Sequence, residues 1–317
     1  MTVSKKIIPI LLLALVFNKA TAQQTPLNPL YYWVFSPYVY NPAMSGYKDF
    51  ISIDMTSAFR GSSNTELLSG NARISKTESG YFSSPDIMKF RNLGLSGTIF
   101  HDVNGLSKNS GASLAGSYQI PIDTRQLTYL SFGASVKGVY NTMNSGTNEN
   151  GTVYKSTFYP NADVGIYFYG AKFFTGISAV NLFGNPNKPD TLGRYAIPVA
   201  RQYFFTIGYK IVLSSEYNVV LEPSFLVNSY DSNFKYIVRN IDPIVKLYVD
   251  NLCLGTYLFT GGTTAFFAKF KYPRFYLGAF FELPNKTPFY IKNPTVELTL
   301  GLNLQSNKSR LSKTSHW

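Results

Sequence analysis

The stretch Thr295-Val296-Glu297-Leu298-Thr299-Leu300-Gly301-Leu302-Asn303-Leu304 decides the fold class, because its polar and apolar residues alternate strictly. Side chains of a β-strand point to opposite faces in turn, so the aliphatic residues share one face and the others share the second. At about 3.3 Å per residue and a tilt near 45°, ten residues rise roughly 23 Å, which matches the apolar band of an outer-membrane barrel. The stretch therefore predicts a membrane strand with one face in contact with lipid and the other in contact with water.

The same alternation recurs along the chain. Thr206, Gly208 and Lys210 lie opposite a face of aromatic and aliphatic residues, and Lys246 and Tyr248 lie opposite a face of valine and leucine. A soluble β-sandwich also alternates, but it does not need so many long strands, so we rank it below a barrel. The sequence predicts an all-β fold, a transmembrane antiparallel β-barrel of about 14 strands. The predicted strands are 49–59, 64–75, 92–102, 110–120, 126–140, 160–169, 171–180, 201–213, 217–228, 234–248, 251–259, 263–270, 272–282 and 294–304.

Loop lengths provide an independent check, because outer-membrane barrels combine short periplasmic turns with longer external loops. Counting from the N-terminus, the even-numbered connections are short, and several odd-numbered ones, such as 141–159, 181–200 and 283–293, are long. This parity places both termini in the periplasm. The even-numbered connection at 76–91 is long and breaks the pattern, so it is a plug, a docking element or a misplaced boundary.

Composition and the first residues indicate export. The chain has 24 Tyr, 25 Phe and 24 Gly, with only 15% charged residues, as expected for a membrane barrel. Lys5 and Lys6, the apolar run 7–17 and Ala20-Thr21-Ala22 follow the order of a secretory signal peptide, with cleavage after Ala22. The predicted domains are a signal peptide at 1–22, a periplasmic or plug segment at 23–48, the barrel at 49–304 and a basic periplasmic tail at 305–317.

The inventory of reactive side chains argues against an enzyme. The chain has two histidines, His101 and His316, and one cysteine, Cys253. His101 and Asp102 are neighbours on a strand, so they point to opposite faces and do not form a dyad. No cofactor or metal site is predicted. The net charge of +12 is dispersed, which in an exported chain indicates contact with outer-membrane lipids and no nucleic acid.

The residues Phe35 to Gly46 form the most distinctive segment before the first strand. Two X-Pro pairs hold the preceding residues extended and remove two backbone donors, so neither a helix nor a central strand is expected. We predict that this segment folds into the barrel opening and acts as a plug or a partner-binding element. The candidate residues are Phe35, Pro37, Tyr38, Tyr40, Asn41, Pro42 and Gly46.

Five charged residues fall on the polar faces of predicted strands. They are Asp163, Lys210, Glu222, Lys246 and Glu297. Charged residues in a barrel lumen line a channel or form salt bridges that fill a closed interior. The sequence leaves both alternatives open and favours the second.

Several fragments, in order along the chain, carry a family resemblance. The most specific is the opening YWVFSPYVYNPAMSG at 32–46. The other fragments are LGLSG at 93–97, HDVNGLS at 101–107, GSYQIP at 116–121, DVGIYFY at 163–169, FFTGISAVNL at 173–182, RQYFFTIGY at 201–209 and LEPSFLV at 221–227. Together they resemble the PorP/SprF family of Bacteroidota outer-membrane proteins. A departure is the basic extension after the last strand, since family members commonly end near that strand.

This resemblance implies a non-enzymatic barrel associated with type IX secretion and, for some members, gliding motility. The implied partners are a large secreted adhesin and components of the secretion machine, namely a periplasmic lipoprotein or peptidoglycan-linked partner. The resemblance does not separate a core secretion component from a paralogue dedicated to one adhesin. The alternative function is a fatty-acid-type or small-solute transport channel, because such barrels also have about 14 strands and an N-terminal plug.

Overall fold

The computed structural model describes residues 36–47, 50–61, 63–74, 92–104, 107–123, 128–148, 151–183, 201–229, 241–259, 263–272, 274–283 and 294–306. The predicted signal peptide, Phe35, the connection at 76–91, His316 and residues 307–317 of the predicted tail lie outside this part of the chain.

The described residues form β-strands preceded by two short 3-10 helices, η1 (Pro37–Val39) and η2 (Pro42–Met44). No helix in this part of the chain is long and apolar enough to cross a membrane. The strands are β1 (Phe50–Arg60), β2 (Ser63–Ile74), β3 (Leu93–Asn104), β4 (Ser107–Asp123), β5 (Thr128–Asn148), β6 (Gly151–Tyr169), β7 (Phe173–Val180), β8 (Gln202–Tyr209), β9 (Ile211–Ser214), β10 (Val219–Ser229), β11 (Ile241–Val249), β12 (Leu252–Leu258), β13 (Thr264–Lys271), β14 (Phe275–Leu283) and β15 (Thr295–Ser306).

The strands close into one antiparallel barrel. Each strand from β1 to β7 and from β9 to β14 pairs with the next along the chain, and β15 pairs with β1, which completes the ring. β8 and β9 both pair with β10 on either side of Lys210, so these two segments act as one barrel strand and the ring has 14 strands. The predicted all-β fold and strand number are confirmed.

Alternation along the strands separates the two faces of the barrel wall. On β15, Leu298 is 56% exposed and Glu297 is 0% exposed, as the sequence pattern predicts. Large apolar side chains are exposed on the outer faces of strands all around the ring, which is the surface that a hydrocarbon layer requires. Examples are Met55, Ile99, Leu114, Val136, Ile177, Phe205, Phe225, Leu254, Phe266 and Leu277.

The prediction of a long loop at 141–159 is wrong. β5 and β6 stay paired as far as Asn148↔Gly151, with one register shift between Asn144 and Gly146. The polar residues of this range suggested a loop, but it also contains Thr, Val, Tyr and Phe, which favour strands. The range therefore extends the β5–β6 hairpin well beyond the neighbouring strands.

The two ends of the barrel differ in structure. We call the end at which β1 begins and β15 ends the terminal mouth, and the opposite end, from which the β5–β6 hairpin projects, the distal mouth. Turns at the terminal mouth are short at 124–127, 170–172, 215–218, 250–251 and 272–274, whereas 75–92 is long. The chain enters the first strand from inside the terminal mouth, through residues 36–47.

The inner face has two contrasting parts. The first, which we call the segment wall, is the inner face of β2 to β7 near the terminal mouth, where serines, asparagine, glutamine and glycines predominate. The second, the aromatic wall, is the inner face of β8 and β10 to β14, where large apolar side chains are buried. Its members include Phe204, Leu226, Ile244, Tyr257, Phe267, Tyr276 and Phe280.

Candidate functional site

Residues Ser36–Tyr47, which we call the lumen segment, lie inside the barrel at the terminal mouth. Pro37 and Pro42 each stand at the start of a 3-10 helix, where a missing backbone N–H costs nothing. The side chain of Asn41 caps the second helix by accepting a hydrogen bond from Ala43 N at 3.0 Å. Gly46 has a φ of 66°, which turns the chain toward the mouth. Local chemistry thus folds the segment into two compact turns.

The segment wall recognises the backbone of the lumen segment. Its polar side chains donate to three backbone carbonyls of the segment, so these acceptors are satisfied away from water. These hydrogen bonds are Ser117 Oγ to Ser45 O at 2.6 Å, Gln119 Nε2 to Ser45 O at 3.0 Å, Ser131 Oγ to Ala43 O at 2.6 Å and Ser178 Oγ to Tyr40 O at 2.7 Å.

Glycines in the segment wall make room for this contact. A Cβ on Gly133 would lie 2.3 Å from Ala43 N, and a Cβ on Gly94 would lie 1.9 Å from Ser45 O. Both distances are shorter than any van der Waals contact, so a side chain at either position would collide with the segment's backbone. The wall is therefore shaped to the segment as well as hydrogen-bonded to it.

Both ends of the lumen segment are fixed to β2, so it crosses the lumen as a loop. Gly46 N donates to Asn71 Oδ1 at 2.7 Å, and the Ser36 hydroxyl is hydrogen-bonded to that of Ser69 at 3.0 Å. Between these points, Asn41 Nδ2 donates to Ile166 O at 3.2 Å. The segment thus spans from β2 around to β6 and β7 and back.

Two tyrosines connect the lumen segment with the rest of the interior. Tyr38 donates a hydrogen bond to Ser69 Oγ at 2.8 Å and lies 3.4 Å from Asp54 Oδ2. Burial, with the negative charge of Asp54, raises the pKa of Tyr38 well above its ordinary value, so the hydroxyl stays protonated and donates. Tyr40 packs against Phe204 of the aromatic wall, with ring centroids 5.3 Å apart.

The structure places the described candidate residues of the predicted plug segment inside the barrel. Tyr38, Tyr40 and Asn41 face the lumen and the walls, and all three are buried. Pro37, Pro42 and Gly46 are buried as well. Whether this segment works as a plug or as a partner-binding element stays a prediction.

Three of the five predicted lumenal charges meet in one cluster. Glu222 Oε1 lies 3.0 Å from Lys246 Nζ, and its Oε2 lies 4.0 Å from Lys210 Nζ. Tyr248 also donates to Glu222, at 3.3 Å. Glu222 and Lys246 are register partners on β10 and β11, and Lys210 lies between β8 and β9. The cluster therefore links the β8–β9 break to β10 and β11.

The other two predicted charges lie elsewhere. Asp163 forms an ion pair with Lys137 at 2.7 Å and accepts a hydrogen bond from Ser135 at 2.6 Å on the segment-wall side. Glu297 is fully buried on β15, opposite Phe280 in register. The five charges therefore do not make one site.

Sequence reasoning missed Asp54, which joins the two walls. Tyr276 of the aromatic wall donates a hydrogen bond to its carboxylate, and the hydroxyl of Tyr38 in the lumen segment lies 3.4 Å from it. The alternation along β1 does place Asp54 on the inner face. The signal was not specific, because many polar residues share that face.

The histidine on β3 does not combine with its neighbour. His101 Nδ1 lies 2.8 Å from Ser110 Oγ on the outer face, whereas Asp102 accepts from Thr65 Oγ1 at 2.6 Å inside. Within the described ranges, no three His, Cys, Asp or Glu side chains come together as metal ligands.

A family comparison identifies the chain. Residues 20–302 match the family described as type IX secretion system membrane protein PorP/SprF. The chain belongs to the PorP/SprF family. Together with the barrel fold, this makes it an outer-membrane barrel of type IX secretion. The match includes the lumen segment, β1 to β14 and β15 as far as residue 302.

Other comparisons are less informative for a PorP/SprF protein. No curated protein matches the sequence. Similar solved structures include the KdgM porin (9% identity, 80% of this chain and 99% of that chain, TM-score 0.37) and the β domain of the Bordetella autotransporter BrkA (10% identity, 80% and 100%, TM-score 0.35). BamA from Haemophilus ducreyi lacking POTRA domains 1–3 is also similar (10% identity, 80% and 70%, TM-score 0.37). The strand pairings, and not these distant similarities, establish the architecture.

Proposed function

We propose that this PorP/SprF protein is a non-enzymatic barrel that anchors a cell-surface adhesin or another secreted partner, or assists its export. It holds that partner through the distal mouth. Through the lumen segment and the basic tail, it engages components of the secretion machine, such as a periplasmic lipoprotein or a peptidoglycan-linked protein.

The observation that supports this proposal is the occupied lumen. The lumen segment crosses the barrel between β2 and β7, and its tyrosines contact Asp54 and Phe204 on other parts of the wall. An interior filled in this way favours binding at the mouths over passage of a solute through the barrel. The fatty-acid or small-solute channel is accordingly the alternative that the experiment has to exclude.

The orientation in this proposal follows the loop-length rule for outer-membrane barrels. Five of the six connections at the terminal mouth are short, so we assign that mouth and both chain ends to the periplasm. The β5–β6 hairpin at the distal mouth then projects from the cell surface, where a secreted partner is met.

A pull-down from intact cells with a tagged copy of the chain tests the proposal. We expect a type IX secretion component and a large secreted protein to co-purify, and a matched copy lacking residues 307–317 to lose the periplasmic component selectively. Absence of both from the full-length sample overturns the proposal. Selective permeation of solutes through the purified protein in a liposome-swelling assay would favour the transport alternative.

A further inference from the structure

In the β5–β6 hairpin, β6 is far longer than β7, the strand that pairs with its outer edge. β6 has 19 residues and β7 has 8, and their pairing ends at Val164↔Ala179. The chain after β7 follows β6 only a little further, with Leu182 N donating to Ala162 O at 2.9 Å. Beyond that point, β6 is paired on its β5 side alone in the part of the chain that the structure describes.

The backbone groups at this edge can be assigned by parity. Successive residues of a strand direct their N–H and C=O groups to opposite neighbours. The carbonyl of Ala162 faces the β7 side, so the even-numbered residues of β6 face the edge. Pro160 agrees with this assignment, because a proline is tolerated in a sheet where its missing N–H faces away from the ladder.

Four residues beyond Pro160 therefore present their backbones at the edge. They contribute four amides and four carbonyls that no described residue pairs with in the ladder. At about 3.3 Å per residue, the range 151–159 offers roughly 26 Å of strand. The four residues are Thr152, Tyr154, Ser156 and Phe158.

Within the described residues, this edge carries little of the usual protection. Natural proteins guard exposed edges with prolines, lysines or bulges, since an open ladder recruits other strands. Here Pro160 lies at the base, Lys155 is the only charge in 151–159, and the register shift of the hairpin falls on β5. Thr, Val, Tyr and Phe dominate the sequence, and all of them favour strand pairing.

We propose that the β6 edge at 151–159 binds an extended segment of the secreted partner as an added β-strand. This inference rests on the proposed function and names the mode by which the partner is held. Main-chain hydrogen bonds supply affinity in strand addition, and alternate side chains supply specificity. Phe158 is 61% exposed beside its cross-strand partner Tyr140, so the added strand carries apolar residues at alternate positions.

The size of the edge favours a flexible secreted chain over a second copy of the barrel. If two copies paired through their β6 edges, the contact would be one strand wide and about 26 Å long. Such a contact falls short of the roughly 1,200 Å² that a stable interface between rigid proteins buries. A secreted polypeptide can in addition wrap onto the outer face of the hairpin.

Hydrogen exchange of the purified barrel gives the first test. We expect fast exchange at the amides of Ser156 and Phe158, slow exchange at Thr157 and Tyr159, and protection of the even-numbered amides once the partner from the pull-down is added. Protection of the even-numbered amides in the barrel alone means that its own chain or a second copy covers the edge. That result overturns the proposal, and its dependence on protein concentration separates the two causes.

A matched pair of variants gives the second test. Ser156→Pro removes an edge amide without touching the β5 ladder, whereas Ser156→Ala removes the hydroxyl and keeps the amide. We expect Ser156→Pro to reduce the co-purified secreted partner at least about tenfold and Ser156→Ala to leave it unchanged. Gel mobility of the folded barrel verifies that both variants fold.

The outcomes of the two proposals are distinct. If the unaltered chain retains the secreted partner and Ser156→Pro retains it equally, strand addition at this edge is wrong and the anchoring function stands. If the unaltered chain retains no partner, the anchoring function and the inference that rests on it both fall.

Discussion

The segment wall and the aromatic wall both border a filled lumen, but the space beside each wall is filled in a different way. On the aromatic wall, large side chains such as Tyr257 and Phe280 reach inward from the strands and fill the space themselves. On the segment wall, glycines and serines leave a space that another part of the chain occupies. The side chains of the aromatic wall belong to the strands and cannot leave without unfolding them. The lumen segment is a separate element, so it can be released while the strands stay paired.

The largest effect is expected from the ion cluster beside the aromatic wall. Glu222→Gln removes the carboxylate charge that pairs with Lys246 and lies beside the buried Lys210, and removing one partner of a buried ion pair typically costs about 3–5 kcal/mol of unfolding free energy. Urea unfolding in liposomes, followed by gel mobility, measures this loss. Combining Glu222→Gln with Lys246→Met should recover part of it. A loss below about 1 kcal/mol in the single variant would show that the cluster is well hydrated.

The aromatic wall itself should respond as a packed core. Phe280→Ala removes a fully buried ring and should lower the unfolding free energy by about 3 kcal/mol, while the lumen segment stays protected from protease. The adjacent Phe281 faces lipid and provides the control, since Phe281→Ala creates no internal cavity. Equal losses for the two variants would mean that the inner ring is not better packed than the outer one.

The segment wall should respond by releasing the segment. Gly133→Ala puts a methyl group 2.3 Å from Ala43 N, and such overpacking costs about 1–3 kcal/mol. We expect limited proteolysis to cut within 36–47 while the folded barrel keeps its gel mobility. Gly116→Ala is the control, because its nearest neighbour would be 3.9 Å away. Global unfolding of Gly133→Ala without faster cleavage would contradict the separation of the two walls.

The smallest effect is expected from a single cap in the lumen segment. Asn41→Ala removes the acceptor for Ala43 N and the donor to Ile166 O, at a cost of about 1 kcal/mol. This should speed hydrogen exchange of the Ala43 amide about fivefold. Asn41→Asp retains the acceptor and should have an intermediate effect. No change in either variant would mean that the wall, and not the cap, orders this turn.

Period-two alternation made the fold predictable. On β15 each residue's face follows from its parity alone, and Leu298 and Glu297 lie where that parity places them. Polar composition is a poor guide in the β5–β6 hairpin, because polar residues occur in loops and also in strands outside the membrane. A hairpin that projects beyond the apolar band has no lipid face, so its polarity is no evidence against pairing.

The candidate site was less predictable, because it depends on contacts between distant parts of the sequence. Glu222 and Lys246 were assigned to inner faces, but their contact follows from the register of β10 and β11. The contacts between the lumen segment and the segment wall join residues as far apart in sequence as Tyr40 and Ser178. The prolines and Asn41 indicate compact turns in the lumen segment. The sequence near these residues does not indicate which serines and glycines of the strands contact the turns.

The loop formed by the lumen segment also constrains the order of folding. The segment is made before every strand, yet its contacts with Ile166 and Ser178 span 125 and 138 residues. Contacts of such sequence separation form late, because a long stretch of chain must be ordered before they exist. The segment can therefore settle only after β7 has joined the sheet, and its docking marks a barrel whose first half is already assembled.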